Sequence, residues 1–286
     1  MRVNEVEKVT KSLNIKGYLH ALDKPAVMGI LNVTPDSFYG LSRKQSDAAI
    51  HQRIAEILDE GGTIVDVGGY SSRPDAADVS EAEEMQRLIP ALSCLKDYYP
   101  DAIVSVDTFR AEIARRAVEE YGAAIINDIS GGETDGRMFE VAAALRVPYI
   151  LMHMRGTPKT MQQQTDYADM REEIMLYFAE KLRTLQLLGV NDIILDPGFG
   201  FSKTLEQNYE LMRALNEFTV FGRPLLAGIS RKSMIYKFLN NTPDECLNGT
   251  TVLNTFALLN GADILRVHDV KAAVEAIKII DKLKNR

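Results

Sequence analysis

Eight short apolar runs of this sequence each end on a polar residue that could do chemistry. The runs are rich in Val, Ile and Leu, and most lead into a turn and then a longer helix-like stretch. The polar ends are Asn32, Asp66, Asp107, Asn127, His153, Asp196, Ser230 and His268. Nearly continuous apolar runs are typical of parallel strands buried on both faces. Because the carboxyl ends of such strands meet on one rim, the pattern predicts a single site.

Two nitrogen donors lie two residues apart at the last run. Side chains alternate between the faces of a strand, so Arg266 and His268 share one face. Both can bind phosphate oxygens, and arginine can do so with two parallel hydrogen bonds. The pattern therefore favours an anion site. A structural salt bridge of this pair with Asp263 or Asp269 is the alternative.

The segment DVGGYSSRP, residues 66–74, could bring a second arginine to the same rim. Its paired glycines permit close approach of the backbone, and the following proline holds Arg73 extended. Arg73 is thus a candidate anion-binding residue over the mouth of the site, and a plain surface loop is the alternative. At the first run, the amide oxygen of Asn32 could bind Mg²⁺, although residues 34–36 also make an ordinary turn.

Two carboxylates, an amide and a lysine are also predicted to lie near one another. Alternation along the seventh run places Ser230 and Lys232 on one face, and it makes Lys232 an inward cation near Asp196. Together with Asp107 and Asn127, these groups fit a polar heterocycle that carries several N–H and C=O groups. An ion-pair network that only caps the core is the alternative.

Two phenylalanines follow Asp196 in the segment DPGFGFSK, residues 196–203. Their position beside a carboxylate at a strand end suggests a planar ring held on an aromatic floor. Phe199 is predicted to lie in the core, which leaves Phe201 as the candidate for that floor.

The elements that must position these residues alternate between strand and helix eight times. This order favours a (β/α)8 TIM barrel, a single α/β domain, over a doubly wound sheet. The length of 286 residues is within the range of one such barrel. We expect residues 1–24 to form a segment that covers the barrel bottom and residues 25–286 to form the barrel.

Composition excludes several other classes of protein. The net charge is −7 and no run of Lys or Arg provides a basic face, so nucleic acid is not an expected partner. No apolar run is long enough for a membrane span, and the N-terminus shows no signal-peptide core. Cys94 and Cys246 are far apart and are expected to be reduced. A cytoplasmic enzyme is the resulting expectation.

Taken together, the polar strand ends and their loops resemble the dihydropteroate synthases, pterin-binding enzymes of the folate pathway. Eight segments carry the resemblance, in family order and over nearly the whole chain. They are MGILNVTPDSF (28–38), DVGGYSSRP (66–74), SVDTFR (105–110), INDISGG (126–132), LMHMRGTP (151–158), DPGFGF (196–201), GISRKS (228–233) and RVHDV (266–270).

The resemblance implies that 6-hydroxymethyl-7,8-dihydropterin diphosphate reacts with 4-aminobenzoate to give 7,8-dihydropteroate and diphosphate. The implied pterin contacts are Asp107, Asn127, Asp196, Lys232 and Met152. The implied diphosphate contacts are Arg73, Arg266, His268 and Asn32, with Asn32 near Mg²⁺. The implied aminobenzoate contacts are Ser72, Pro74, Phe201 and Ser230. Among these, the expected catalytic residues are Asp107, Asp196, Lys232 and Arg266.

The expected chemistry is cleavage of the C–O bond to give a methylene cation conjugated to the pterin, because an aryl amine is a weak nucleophile. The chain departs from the common family pattern at four positions. Tyr70 occupies a position where Glu is common in the family, and Ser72 one where Thr is common. Asp75 and Ser202 occupy positions where Gly is common. These positions bear on loop closure, aminobenzoate affinity and sulfonamide sensitivity rather than on the pterin pocket.

Two other functions compete with this interpretation. A methyltetrahydrofolate methyltransferase-like barrel would share the Asp/Asn/Asp pocket but would not need the diphosphate residues. A folate-responsive binding protein would be expected to lose Asn32, Arg73 or Lys232, and all three are present. The family generally forms homodimers through its last helices. Residues that could supply this face, or could instead pack on the barrel, are Leu253, Phe256, Ala257, Ile277 and Ile280.

Overall fold

An antiparallel hairpin and eight parallel strands make up the β-structure of the part of the chain that is described. The computed structural model describes residues 11–34, 43–71 and 78–284. The hairpin strands are β1 (Ser12–Ile15) and β2 (Tyr18–Ala21). The parallel strands are β3 (Ala26–Asn32), β4 (Ile64–Gly68), β5 (Ile103–Asp107), β6 (Ile125–Asp128), β7 (Tyr149–Met152), β8 (Ile193–Asp196), β9 (Leu226–Ala227) and β10 (Ile264–Val267).

The eight parallel strands curl into a barrel. Their order in the sheet is β8-β7-β6-β5-β4-β3-β10-β9. A parallel bridge between Leu195 and Leu225 brings the two edges of the sheet together, and the Leu195 amide donates to the carbonyl of Pro224 at 2.8 Å. The predicted TIM barrel is therefore confirmed.

Helices separate the successive barrel strands. They are α1 (Arg43–Asp59), α2 (Glu81–Tyr98), α3 (Ala111–Tyr121), α4 (Met138–Leu145), α5 (Met170–Leu187), α6 (Leu205–Arg213), α7 (Ser233–Leu239), α8 (Leu247–Leu259) and α9 (Val270–Lys284). The first turn of α2 is acidic, and the Ser80 side chain caps the helix by accepting from the backbone N–H of Glu83. The sequence does not predict α7, because two turns are too short to show an apolar repeat.

The apolar core has two main layers. One layer fills the space between the barrel strands and the surrounding helices. The other lies inside the barrel, at the amino-terminal ends of the strands. The hairpin adds Leu13 and Ile15 to this inner layer, where they are buried beside Ala26 and Ile264. The division of the chain at residue 24 stays a prediction.

Strand alternation points every second side chain of the barrel inward. In the lower part of the barrel these side chains are apolar, and at the carboxyl ends they are polar. The fold thus separates a closed apolar floor from a polar rim. In the part of the chain that is described, no helix is both apolar and long enough to cross a bilayer.

Candidate active site

Arg266 is the centre of the polar rim, because it pairs with two carboxylates, one of which also accepts from Asn127. Its Nε donates to Asp66 Oδ2 at 2.7 Å, and its Nη2 donates to Asp107 Oδ2 at 2.6 Å. Asn127 donates its amide nitrogen to the same Asp66 oxygen at 3.1 Å. Four strands, β4, β5, β6 and β10, therefore contribute to one cluster, in which Asp66 and Asn127 are buried and Asp107 and Arg266 are half-buried.

The alternative interpretation, in which Arg266 or His268 forms a salt bridge with Asp263 or Asp269, is wrong. Asp263 instead accepts from Lys11 Nζ at 2.7 Å, at the other end of the barrel. Asp269 forms two hydrogen bonds with Arg231. Arg266 turns inward because its position on β10 faces the barrel axis, where the carboxylates of β4 and β5 compensate its charge.

Burial and charge act against each other in this cluster. Burial raises the pKa of Asp107, Arg266 opposes this shift, and the charge of Asp66 adds to it. Burial also lowers the pKa of Arg266, but Asp66 and Asp107 outweigh it and hold that pKa above its ordinary value. The cluster is therefore held by ion pairs that offset a large desolvation cost.

Lys232 and Asp196 face each other across Gly228. A Cβ at Gly228 would lie 3.8 Å from Asp196 Oδ2 and 3.9 Å from Lys232 Nζ, so both charged groups border the space beside this glycine. Burial raises the pKa of Asp196, which Lys232 opposes. Burial likewise lowers the pKa of Lys232 to about 8, which Asp196 opposes. The predicted proximity of this pair is present.

The reason for that proximity differs from the prediction. Strand β9 ends at Ala227, so alternation does not extend to residue 232. Arg231 instead adopts a left-handed backbone with φ of 56°, and Lys232 lies at the N-cap of α7. The lysine then reaches inward, where Nζ donates to the Phe199 carbonyl and lies 4.5 Å from the centroid of the Phe201 ring.

A small apolar shelf lies beside these charges. It is separate from the two main layers of the core, and Phe109 packs partly against it. The shelf consists of Ile129, Met152, Met154, Met161 and Phe201. Phe199 belongs to the main core instead and is fully buried. The predicted core position of Phe199 is confirmed, and the role of Phe201 as an aromatic floor stays a prediction. Met152 lies on the same shelf as Phe201.

Ser230 and His268 are joined, although they were predicted to serve different substrates. Ser230 Oγ lies 3.0 Å from His268 Nδ1 and accepts from the His268 backbone N–H at 3.2 Å. Burial, with Arg266 and Arg231, lowers the pKa of His268 to about 4. A hydroxyl that donates to Nδ1 leaves Nε2 as the N–H donor of the neutral ring.

Asn32 ends β3 with an exposed side chain. A Cβ at Gly68 would be 3.6 Å from Asn32 Oδ1 and 3.6 Å from Asp107 Oδ2, so both oxygens border the same space beside that glycine. Hard oxygen donors suit Mg²⁺. Within residues 11–34, 43–71 and 78–284, no group of three His, Cys, Asp or Glu side chains could hold a metal. Asn32 fits a site in which substrate oxygens supply most ligands.

The comparisons with known proteins agree with this geometry. The sequence model described as "Pterin binding enzyme" matches residues 28–268. The dihydropteroate synthase of Escherichia coli is 45% identical over 264 residues, which are 91% of this chain and 92% of the relative. The chain belongs to the dihydropteroate synthases. It is a transferase of folate synthesis.

Solved structures of dihydropteroate synthases share the fold. The Yersinia pestis enzyme, solved with a sulfonamide drug complex, has a TM-score of 0.88 and 40% identity, and the match covers 96% of this chain and all of that one. The Xanthomonas albilineans enzyme, solved with 4-aminobenzoic acid, has a TM-score of 0.88 and 34% identity, with 97% and 99% covered. These names favour a synthase over the methyltransferase-like and non-enzymatic alternatives.

The aminobenzoate and loop residues Ser72, Arg73 and Pro74 lie outside the described residues, as does Asp75. The structure does describe both flanks of this segment. Tyr70 packs edge-on against Phe109, with ring centroids 5.0 Å apart. On the other flank, Asp78 forms an ion pair with Lys159. The departure at Tyr70 thus adds an aromatic contact to the loop after β5.

Ser202 departs from the dihydropteroate synthase pattern in a position that suits glycine. Its φ is 48°, in the left-handed region, and its side chain is buried. The hydroxyl accepts from the Arg155 amide at 3.0 Å, and Tyr167 donates to the Ser202 carbonyl at 3.0 Å. These bonds join the loops after β7 and β8, which offsets a backbone strain of about 1 kcal/mol.

Sequence reasoning left Asp66 and His153 without a role. Asp66 now lies in the Arg266 cluster. His153 is buried, and its Nδ1 is 3.1 Å from Lys203 Nζ. Lys203 also donates to the carbonyls of Gly198 and Phe201, at 3.0 Å each. Both residues were visible as polar groups at or near a strand end, but sequence spacing alone does not reveal these partners.

Proposed function

We propose that this rim condenses 6-hydroxymethyl-7,8-dihydropterin diphosphate with 4-aminobenzoate. The observation that carries the proposal is the convergence of Asp107, Asn127, Asp196 and Lys232 with the Arg266 guanidinium on one rim. Carboxylate and amide oxygens match the N–H groups of a pterin ring, and the lysine matches its carbonyl oxygen. Met152 supports the ring from the shelf.

The diphosphate group belongs on the side of β3 and β10. Arg266 and the neutral His268 would donate to its oxygens, and Arg73 would approach from the loop after β4. Asn32 is the described side chain that would hold Mg²⁺. When bound there, the ion would neutralise charge on the departing diphosphate.

The aminobenzoate would lie at the outer edge of the pterin pocket. Phe201 offers its ring beside Lys232, and Ser230 offers its polar groups at the turn after β9. Ser72 and Pro74 would complete this side from the loop after β4. These roles follow the family resemblance, and the aromatic floor at Phe201 supports them.

In the reaction, the methylene C–O bond breaks and its electron pair leaves with the diphosphate. Asp107 and Asp196 offset the positive charge that develops on the methylene and pterin. The lone pair of the aryl amine then forms the new C–N bond, and the amine loses one proton. No covalent enzyme nucleophile is needed.

A diphosphate-release assay tests the proposal. The dihydropterin diphosphate is supplied with and without 4-aminobenzoate, and we expect the amine to stimulate release. In Asp196→Asn, we expect kcat to fall on the order of 100-fold, as for other losses of transition-state electrostatics. Asp192→Asn is the matched control, because Asp192 precedes the same strand at its opposite end and binds the Asn14 amide. Diphosphate release that is equally fast with and without 4-aminobenzoate would contradict the proposal.

We also propose a homodimer formed through α8 and α9. Val252, Phe256 and Leu259 form an exposed apolar stripe on α8, and Ile279 and Leu283 form one on α9. The two helices that carry these stripes pack against each other. Apolar patches of this kind mark interaction surfaces.

Only part of the face expected from the sequence is available for a dimer. Ala257, Ile277 and Ile280 are buried against the barrel, and Leu253 packs partly against it. Of the five residues that the sequence suggested for this face, only Phe256 is exposed. The cytoplasm stays the expected location, which the two free, buried cysteines support. Nucleic acid and membranes are not proposed as partners.

A further inference from the structure

Asp66 is a buried carboxylate to which the proposed reaction assigns no role. Its side chain is fully buried in β4, at the level of the substrate-binding rim. It makes both of its hydrogen bonds through one oxygen, Oδ2, which accepts from Arg266 Nε and Asn127 Nδ2. The other oxygen, Oδ1, has no hydrogen-bond partner among the described residues.

The hydrogen bond from Asn127 to Asp66 determines which end of the Asn127 side-chain amide faces a ligand. A carboxylate can only accept, so the NH₂ group of Asn127 must face Asp66. The amide oxygen is then directed away from Asp66, as an acceptor for ring N–H groups. Without Asp66, the amide could rotate and present its NH₂ group, which would repel those same N–H groups.

The hydrogen bond from Arg266 to Asp66 determines where the guanidinium charge lies. Asp66 takes Nε while Asp107 takes Nη2, so the guanidinium is divided between two strands. Without Asp66, Arg266 could pair with both oxygens of Asp107 in the bidentate geometry that arginine favours. Asp107 would then be less available as an acceptor for the ring.

We infer that Asp66 is a positioning residue, whose carboxylate orients the Asn127 amide and shares the Arg266 guanidinium so that the pocket presents acceptors to the pterin ring. The inference rests on the proposed function. It concerns the ring alone, so it can be tested without turnover.

Isothermal titration with 6-hydroxymethylpterin, which lacks the diphosphate, measures the effect. In Asp66→Ala, we expect the Kd of the ring to rise at least about tenfold, since a misoriented Asn127 amide would cost the ring about one hydrogen bond. In Asp66→Asn, the new amide oxygen can accept both bonds while its NH₂ group takes the place of the unpartnered Oδ1. We expect ring affinity within about threefold of the wild type there. This variant also keeps the side-chain volume if Asp66→Ala does not fold.

Val67→Ala is the matched control. Val67 is the next residue of β4, is fully buried, and packs on the outer core layer rather than on the rim. It should lower stability without changing the Kd of the ring. Equal ring affinity in the wild type and Asp66→Ala would overturn the inference. An equal loss in a folded Asp66→Asn would also overturn it, because the charge rather than the accepted bonds would then be responsible. A wild type that does not bind the ring would instead refute the proposed function.

A double-mutant cycle tests the route through Asn127. If Asp66 acts by orienting that amide, Asp66→Ala should weaken ring binding much less in an Asn127→Ala background than in the wild type. Losses that multiply independently would contradict the orienting role.

Discussion

At the scale of single residues, Lys203 shows how burial sets a charge state. It donates to two carbonyls and contacts His153, and no carboxylate among the described residues pairs with it directly. Burial lowers the pKa of Lys203 to about 7; the charge of Asp196 opposes this shift, and Lys232 and Arg155 add to it. The pKa of His153 is also lowered by burial, so the neutral ring can accept from the amine.

The depressed pKa predicts a pH-dependent stability. Between about pH 7 and pH 10, the unfolded chain binds a proton at this lysine that the folded chain does not, so the free energy of unfolding rises with pH. Comparison of the wild type with Lys203→Met by urea unfolding isolates the effect. We expect the difference, wild type minus variant, to grow by about 2 kcal/mol from about pH 7 to about pH 9.

Lys237→Met is the control for this measurement, because it removes one exposed lysine of α7. Its difference from the wild type should stay nearly constant with pH. A Lys203→Met difference that is constant, or that shrinks as the pH rises, would show that the buried amine keeps its ordinary pKa.

At the scale of elements, the β1–β2 hairpin closes the lower end of the barrel. Its inward residues Leu13 and Ile15 pack on the inner core layer, while all of β2 is exposed. The hairpin is also held by polar contacts. Lys11 pairs with Asp263, and the backbone N–H of Asn14 donates to the Asp192 carboxylate. The barrel floor thus depends on an element that precedes the barrel in sequence.

Truncation of Leu13 tests this dependence. Leu13→Ala should lower the free energy of unfolding by about 2–5 kcal/mol, the usual cost of a cavity at a buried leucine. Leu19→Ala in the exposed strand should change it by less than about 0.5 kcal/mol. Urea titrations of both variants measure the contrast. A Leu13→Ala variant as stable as Leu19→Ala would mean that the hairpin does not contribute to the barrel floor.

At the scale of the whole molecule, the exposed stripes of α8 and α9 predict self-association. The wild type should sediment at about twice the 31.9 kDa mass of one chain. Ile279→Lys should raise the dimer Kd at least about 100-fold, because it would bury an unpaired charge. Sedimentation equilibrium measures both values.

Leu187→Lys is the control for the dimer, because Leu187 is exposed at the end of α5 and lies outside the α8–α9 stripes. Its dimer affinity should equal that of the wild type. A monomeric wild type, or an unchanged Kd in Ile279→Lys, would place the apolar stripes outside any dimer interface.

Barrel closure is the whole-molecule feature that makes one site from distant segments. Asp66 and Arg266 are 200 residues apart in the chain and 2.7 Å apart in space. They meet because β3, which follows the hairpin, pairs with β10 on one side and β4 on the other. The strand order therefore decides which charges become partners.

The sequence by itself determined the fold and the proximity of several polar strand ends at one rim. Apolar runs with polar ends, each followed by a helix, predict parallel strands in a barrel because both signals are local. The core position of Phe199 was also predictable. The reach of Lys232 was predicted for the wrong reason, since a left-handed turn at Arg231 replaces the strand that alternation requires.

Only the tertiary structure decided the partners within that rim. The pairing of Arg266 with Asp66 and Asp107, of Ser230 with His268, and of Lys203 with His153 depends on strand order and burial. Spacing along the chain shows which residue types reach a rim, but it does not give the distances across a closed barrel. Those distances set hydrogen bonds and pKa values, and they turned Asp66 from an unassigned strand end into the acceptor that Arg266 and Asn127 share.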